Sequence, residues 1–83
     1  MTKMPTITFR HLITQVKKLV FKAVRQKGSH IRFVHPDGRK TTIPDHGNKD
    51  VPKGFLRKII QIDLDLEVED FFEIMKSREI IKN

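Results

Sequence analysis

The four residues His35-Pro36-Asp37-Gly38 constrain the fold of this 83-residue chain more than any other stretch. Proline fixes φ at the second position of a turn, aspartate suits the third, and glycine accepts the left-handed conformation that closes a three-residue hairpin loop. The flanking residues alternate with period two. Over residues 29–35, Ile31 and Phe33 share one face and His30 and Arg32 the other, as in a half-buried strand. A hairpin with this loop pairs His35 with Arg39, Phe33 with Thr41 and Ile31 with Ile43. One face then carries Ile31, Phe33, Thr41 and Ile43, and the opposite face His30, Arg32, Lys40 and Thr42. Upstream, Lys27-Gly28 reads as a tight turn from an earlier strand over residues 21–26, since glycine tolerates positive φ. The chain therefore predicts a three-stranded antiparallel sheet with one apolar face and one polar, basic face.

Helical spacing brackets this sheet. Phe9, Leu12, Ile13, Val16, Leu19 and Val20 fall on one stripe, with Thr8 as its cap. Arg10, His11, Thr14, Gln15, Lys17 and Lys18 take the other side. Residues 45–49 have no period and form a loop to a second helix, with Asp50 or Val51 as cap and Pro52 in its first turn. Its expected buried stripe is Phe55, Leu56, Ile59, Ile60 and Ile62. Asp63 is expected to break that helix by visiting the left-handed region. Asp65 then caps a short further helix with Val68, Phe71, Phe72 and Met75 inward. The order α-β-β-β-α, with helices gathered on one face of the sheet, is an α+β fold. It forms a single domain over residues 1–83, with residues 1–7 and 77–83 expected to be flexible.

Composition narrows the classes of function. The chain has no cysteine, hence no disulfide framework and no thiol nucleophile, which points to a reducing cytoplasm. No apolar run approaches the roughly 20 residues of a membrane span, and no membrane role is expected. Seventeen Lys and Arg against ten Asp and Glu give a net charge of +7, which favours a polyanionic partner such as nucleic acid. The charge is also segregated: residues 1–40 hold ten basic and one acidic side chain, and residues 63–83 hold three and seven.

Catalytic signatures are mostly absent. There is no phosphate-binding glycine loop, no serine elbow and no helical zinc-protease motif. His30, His35 and His46 lack both i, i+4 spacing and cysteine partners, so no metal and no cofactor is expected. His30 has the most suggestive surroundings. It follows the Lys27-Gly28-Ser29 turn and shares its face with Arg32, while Arg25 and Lys27 lie one strand away. An imidazole exchanges protons near neutral pH, and neighbouring cations hold phosphate. RNA carries its own nucleophile, the 2′-hydroxyl, so strand scission needs only geometry, proton transfer and positive charge at the phosphorus. The same residues also suit a plain surface histidine on a basic sheet. Lys53 and Arg57 share a face of the second helix and serve either phosphate binding or solvation. His46 assists proton transfer, orients RNA or holds its loop. His35 packs beside the hairpin turn.

A longer pattern joins these pieces. Val24-Arg25-Gln26-Lys27-Gly28-Ser29-His30 is followed by His35-Pro36-Asp37-Gly38-Arg39, Thr42-Ile43-Pro44, His46, Lys49-Asp50 and the run Pro52-Lys53-Gly54-Phe55-Leu56-Arg57-Lys58-Ile59-Ile60. This succession, over roughly residues 8–75, resembles the HicA (YcfA-like) toxin family. The resemblance implies a fold like the double-stranded RNA-binding domain and a sequence-relaxed mRNA interferase neutralised by a HicB-type antitoxin. It also implies that the histidine of the Gly-Ser-His motif, His30, is catalytic. Arg25, Lys27, Ser29, Arg32, Lys53 and Arg57 are then the expected RNA-binding residues, with His46 as an auxiliary. The chain departs from the family pattern at Val20 and Asp63, where glycine is usual, and at Phe55, where the family has threonine or serine. The competing reading is a non-catalytic RNA-binding module, since this fold commonly reads A-form shape without cutting. An assembly role with the antitoxin is a third, and DNA binding finds no helix-turn-helix segment to support it.

Overall fold

The computed structural model describes residues 4–81, with side chains through Ser77. Along the chain come helix α1 (Phe9–Lys18), strands β1 (Lys22–Lys27), β2 (His30–Val34) and β3 (Lys40–Pro44), helix α2 (Lys53–Lys58), a π turn (Ile59–Asp63) and helix α3 (Val68–Ile81). The sheet is antiparallel in the order β1-β2-β3, so the expected α-β-β-β-α arrangement is the observed one. The predicted register holds: Ile31 opposes Ile43 and Phe33 opposes Thr41. Gly38, at φ 101, closes the hairpin. The His35 N–H donates to the Arg39 carbonyl at 2.8 Å and the Gly38 N–H to the His35 carbonyl at 2.9 Å.

Ile31, Phe33 and Ile43 on one sheet face share a single core with Phe9, Leu12 and Val16 of α1, Leu56, Ile59 and Ile60 of the second helical stretch, and Phe71 and Phe72 of α3. All helices thus lie on one side, and the other side of the sheet is open. No helix among the described residues is long and apolar enough to cross a membrane. Of the first seven residues, which the sequence suggested to be flexible, the described ones reach this core. Met4 and Ile7 are buried, and the Val51 N–H donates to the Ile7 carbonyl at 2.8 Å. Residues 77–81 continue helix α3, and residues 1–3 and 82–83 lie outside the described residues.

Several local expectations need correction. The first hairpin turns at Gly28-Ser29, one residue later than expected, because Lys27 still pairs with His30. Gly28 at φ 60 is the first central residue, the position that a II′ turn reserves for glycine. Phe21 is a buried core residue before β1 and not part of it. Helix α2 is capped by Pro52 and begins at Lys53; Asp50 instead bridges Thr8.

The largest departure follows α2. The expected stripe included Ile62, which is 71% exposed. Residues 59–63 form a π turn, with the Leu64 N–H donating to the Ile59 carbonyl at 2.8 Å. In an i→i+5 turn each residue advances less than in an α-helix, so residue 62 lags behind the core face. Asp63 does not break the helix in the left-handed region. Its carboxylate accepts from the Thr41 hydroxyl at 2.9 Å and from Lys58 Nζ at 3.0 Å, and the residue with positive φ is Asp65, at 57. Asp65 therefore turns the chain, and α3 starts only at Val68.

Candidate active site

The β1–β2 turn delivers His30 as the first residue of β2, directly opposite Lys27 and, on its other side, opposite Pro44. Opposed residues of antiparallel strands project to the same face with Cβ atoms about 4.5–5.5 Å apart. One row of the open face is thus Lys27, His30 and Pro44. The next row, two residues along and so about 7 Å away, is Arg25, Arg32 and Thr42. His30, Arg25, Lys27 and Arg32 are all exposed. Among the described residues none of their side chains has a hydrogen-bond or ionic partner. An imidazole ring and three cations therefore stand together without an ion-pair partner among the described residues. That geometry fits an external anion.

A bulge in β1 extends this face beyond what the sequence suggested. The register shifts between Ala23 and Arg25, leaving Val24 as the extra residue. Strict alternation would have put Lys22 on the core side with Gln26. The bulge returns it to the open face, where it opposes Val34, which opposes Lys40 in turn. No glycine marks the bulge, and nothing in the local sequence signals it. Ser29 is half-buried, and its carbonyl accepts from the Asp45 N–H at 2.7 Å. Gln26 Nε2 donates to the Gly28 carbonyl at 3.0 Å and braces the same turn.

The other histidines lie elsewhere. The His46 ring meets the Phe9 ring edge-on at 5.0 Å, which favours the loop-holding role among the three open to it. The His35 ring meets Phe21 at 5.0 Å, beside the turn as expected. Its Nδ1 accepts from the Asp37 N–H at 3.0 Å. Asp37 in turn accepts from the Arg39 N–H at 3.0 Å and from Arg39 Nε at 2.8 Å. These bonds, the backbone one foremost, hold the Asp37 carboxyl below its usual range. Arg39 also stacks over Phe21 at 5.3 Å and donates to the Leu64 carbonyl. This cluster braces the far end of the sheet.

Lys53 and Arg57 stand on α2, in the helical layer, and are not brought to the open face. Arg57 lines a groove of about 1050 Å³ together with Glu67, Glu69, Asp70 and Glu73. A family model described as the HicA toxin of bacterial toxin-antitoxin matches residues 9–64. The chain belongs to the HicA toxin family. No curated protein matches it. The match spans α1, the whole sheet, α2 and the π turn, so it contains every part of the open-face site. It bears out the resemblance drawn from the Gly-Ser-His turn and the hairpin, and with it a toxin of a toxin–antitoxin system.

Proposed function

We propose that this chain is an endoribonuclease that cleaves mRNA through His30, by proton transfer in the attack of a ribose 2′-hydroxyl, without needing a metal. The observation that carries the reading is the exposed His30, without a side-chain partner among the described residues, opposite Lys27 and on one open sheet face with Arg32 and Arg25. Membership of the HicA family supports it.

The chemistry follows from those groups. Neutral His30 takes the proton of the 2′-hydroxyl as the O2′–P bond forms, a step worth roughly 10² to 10⁴ in rate. Arg25, Lys27 and Arg32 stabilise the charge that develops on the phosphorane oxygens. The P–O5′ bond then breaks, and the leaving oxygen receives a proton from the His30 imidazolium or from water. The products are a 2′,3′-cyclic phosphate and a 5′-hydroxyl. No step requires an activated water. Ser29 holds the turn that presents the histidine. A HicB-type antitoxin neutralises the toxin by placing acidic surface over these cations, where charge complementarity favours it.

The test is incubation of single-stranded RNA with wild-type and His30→Ala protein in EDTA. Cleavage by the wild type alone, leaving cyclic phosphate ends, is the expected result. Equal cutting by both proteins removes His30 from the mechanism. RNA binding without cutting by either converts the reading to a non-catalytic RNA-binding module.

A further inference from the structure

The end of the domain that carries His30 also carries a cation with no role so far. Helix α1 begins on the loop that follows β3: the Phe9 N–H donates to the Lys49 carbonyl and the Arg10 N–H to the Gly47 carbonyl, each at 2.9 Å. That loop starts beside the site, because Pro44 opposes His30 and the Asp45 N–H donates to the Ser29 carbonyl at 2.7 Å. The Gly47 N–H donates to Asp45 Oδ1 at 3.1 Å. Consecutive hydrogen bonds thus connect the His30 turn, the loop and the start of α1, and the step from Asp45 to Gly47 spans at most about 7 Å of chain.

Arg10 is exposed. Its Nη2 lies 3.9 Å from where a Cβ on Gly47 would stand, so the guanidinium lies against this loop. Among the described residues it has no hydrogen-bond or ionic partner. The helix end itself offers an anion no free donor in its first turn. The Phe9 and Arg10 N–H groups are taken by loop carbonyls, and the His11 N–H donates to Thr8 Oγ1 at 3.1 Å. The side chain of Arg10 is an available donor at this corner, and a guanidinium matches phosphate with two parallel bonds.

We propose that Arg10 binds a backbone phosphate of the RNA engaged at His30, holding the strand where it leaves the open sheet face and crosses the loop over residues 45–49. The inference rests on the RNA-cleaving reading above. It adds a contact on a different element, so the bound strand is longer than the sheet face alone would hold.

The experiment measures binding of a fluorescein-labelled polyuridine RNA of about 12 nucleotides, within the range of known single-strand site sizes. His30→Ala protein keeps the RNA intact and serves as the parent. Arg10→Gln, Arg10→Lys and Lys17→Gln are added to it, the last removing the same charge from the far end of the same helix. Arg10→Gln is expected to reduce the slope of log affinity against log salt by about 0.7, the value for one phosphate on a single strand. Between 1 M and 50 mM salt that slope corresponds to a loss of about eightfold. Arg10→Lys keeps the slope, and Lys17→Gln leaves it unchanged. Because the guanidinium has no hydrogen-bond or ionic partner among the described residues, Arg10→Gln should melt with its parent. An unchanged slope in Arg10→Gln, or an equal fall in Lys17→Gln, overturns the Arg10 contact and leaves the His30 cleavage test standing. Failure of the His30→Ala parent to bind RNA at low salt overturns both.

Discussion

Val20 sets up a stability experiment whose sign runs against ordinary helix rules. Helix α1 ends with the Val20 N–H donating to the Lys17 carbonyl at 3.1 Å and the Phe21 N–H to the Val16 carbonyl at 3.3 Å. This is the Schellman pattern, in which the residue after the cap is left-handed and usually glycine. Here a β-branched valine holds φ 76. Any residue with a Cβ pays about 1–2 kcal/mol there, whereas glycine loses about 0.4–1 kcal/mol through the entropy of its unfolded chain. Val20 is 53% exposed, and truncation to either alanine or glycine removes its modest packing alike. Comparing the two variants therefore isolates the backbone. Val20→Gly should exceed Val20→Ala by about 1 kcal/mol, whereas within a helix alanine exceeds glycine by about that amount. For a domain of this size the gap is about 4–8 °C in Tm. Relative to the native chain, relief of strain in Val20→Gly is largely offset by lost packing, so its Tm should stay close to native. Thermal unfolding followed by circular dichroism reads the result. Equal melting of the two variants, or a more stable alanine variant, refutes the argument that position 20 is strained.

Three further outcomes test the packing. Asp63→Ala strips the buried Thr41 hydroxyl of its acceptor and should cost about 1–3 kcal/mol; Asp63→Asn retains an acceptor and should cost less, and equal urea midpoints would contradict the bond's importance. Ile62→Lys should change stability by under about 0.5 kcal/mol, whereas Ile60→Ala should cost about 2–5 kcal/mol; similar costs would mean that Ile62 faces the core after all. NMR titration of Asp37 should find its carboxyl below the ordinary 3.8. The stabilisation it gives is present above the unfolded pKa and is lost as pH falls through the lower, folded one. Arg39→Gln should raise that midpoint only in part, since the leading cause is the backbone N–H of residue 39, and a midpoint at or above 3.8 in the native chain would contradict the geometry.

The sheet was legible because its signals are local. Period-two alternation and the Pro-Asp-Gly turn set the register of Ile31, Phe33, Thr41 and Ile43, and that register places His30 and Arg32 on the open side. Helix α1 was legible in part: Thr8 caps it and Phe9, Leu12, Ile13 and Val16 form its buried stripe, but Gln15, expected outside, is buried, and Val20, expected on the stripe, is exposed beyond the helix end. What escaped depends on distant partners. The π turn brings together Thr41, Lys58 and Asp63, which are far apart in the local pattern. The start of α1 is satisfied by carbonyls some forty residues away in the chain. The bulge at Val24 restored Lys22 to the site without any glycine to announce it. At Val20, only the family's usual glycine hinted at a left-handed residue.

Net charge understates how the site meets a polyanion. The domain measures 35 × 26 × 25 Å, several times the screening length of about 8 Å at physiological salt. The acidic side chains near the start of α3 therefore do not cancel the field of Lys22, Arg25, Lys27, Arg32 and Lys40 on the open face. An approaching polyanion meets a positive surface on one side and an acidic groove on the other, so orientation precedes contact. The same reasoning separates residues of equal formal charge. Arg57 lines a groove with Glu67, Glu69, Asp70, Glu73 and Lys76, four acids against two bases, whereas Arg32 stands on the open face in a row with Arg25. Neutralising Arg32 should weaken RNA binding more than neutralising Arg57, although the two changes are identical in net charge.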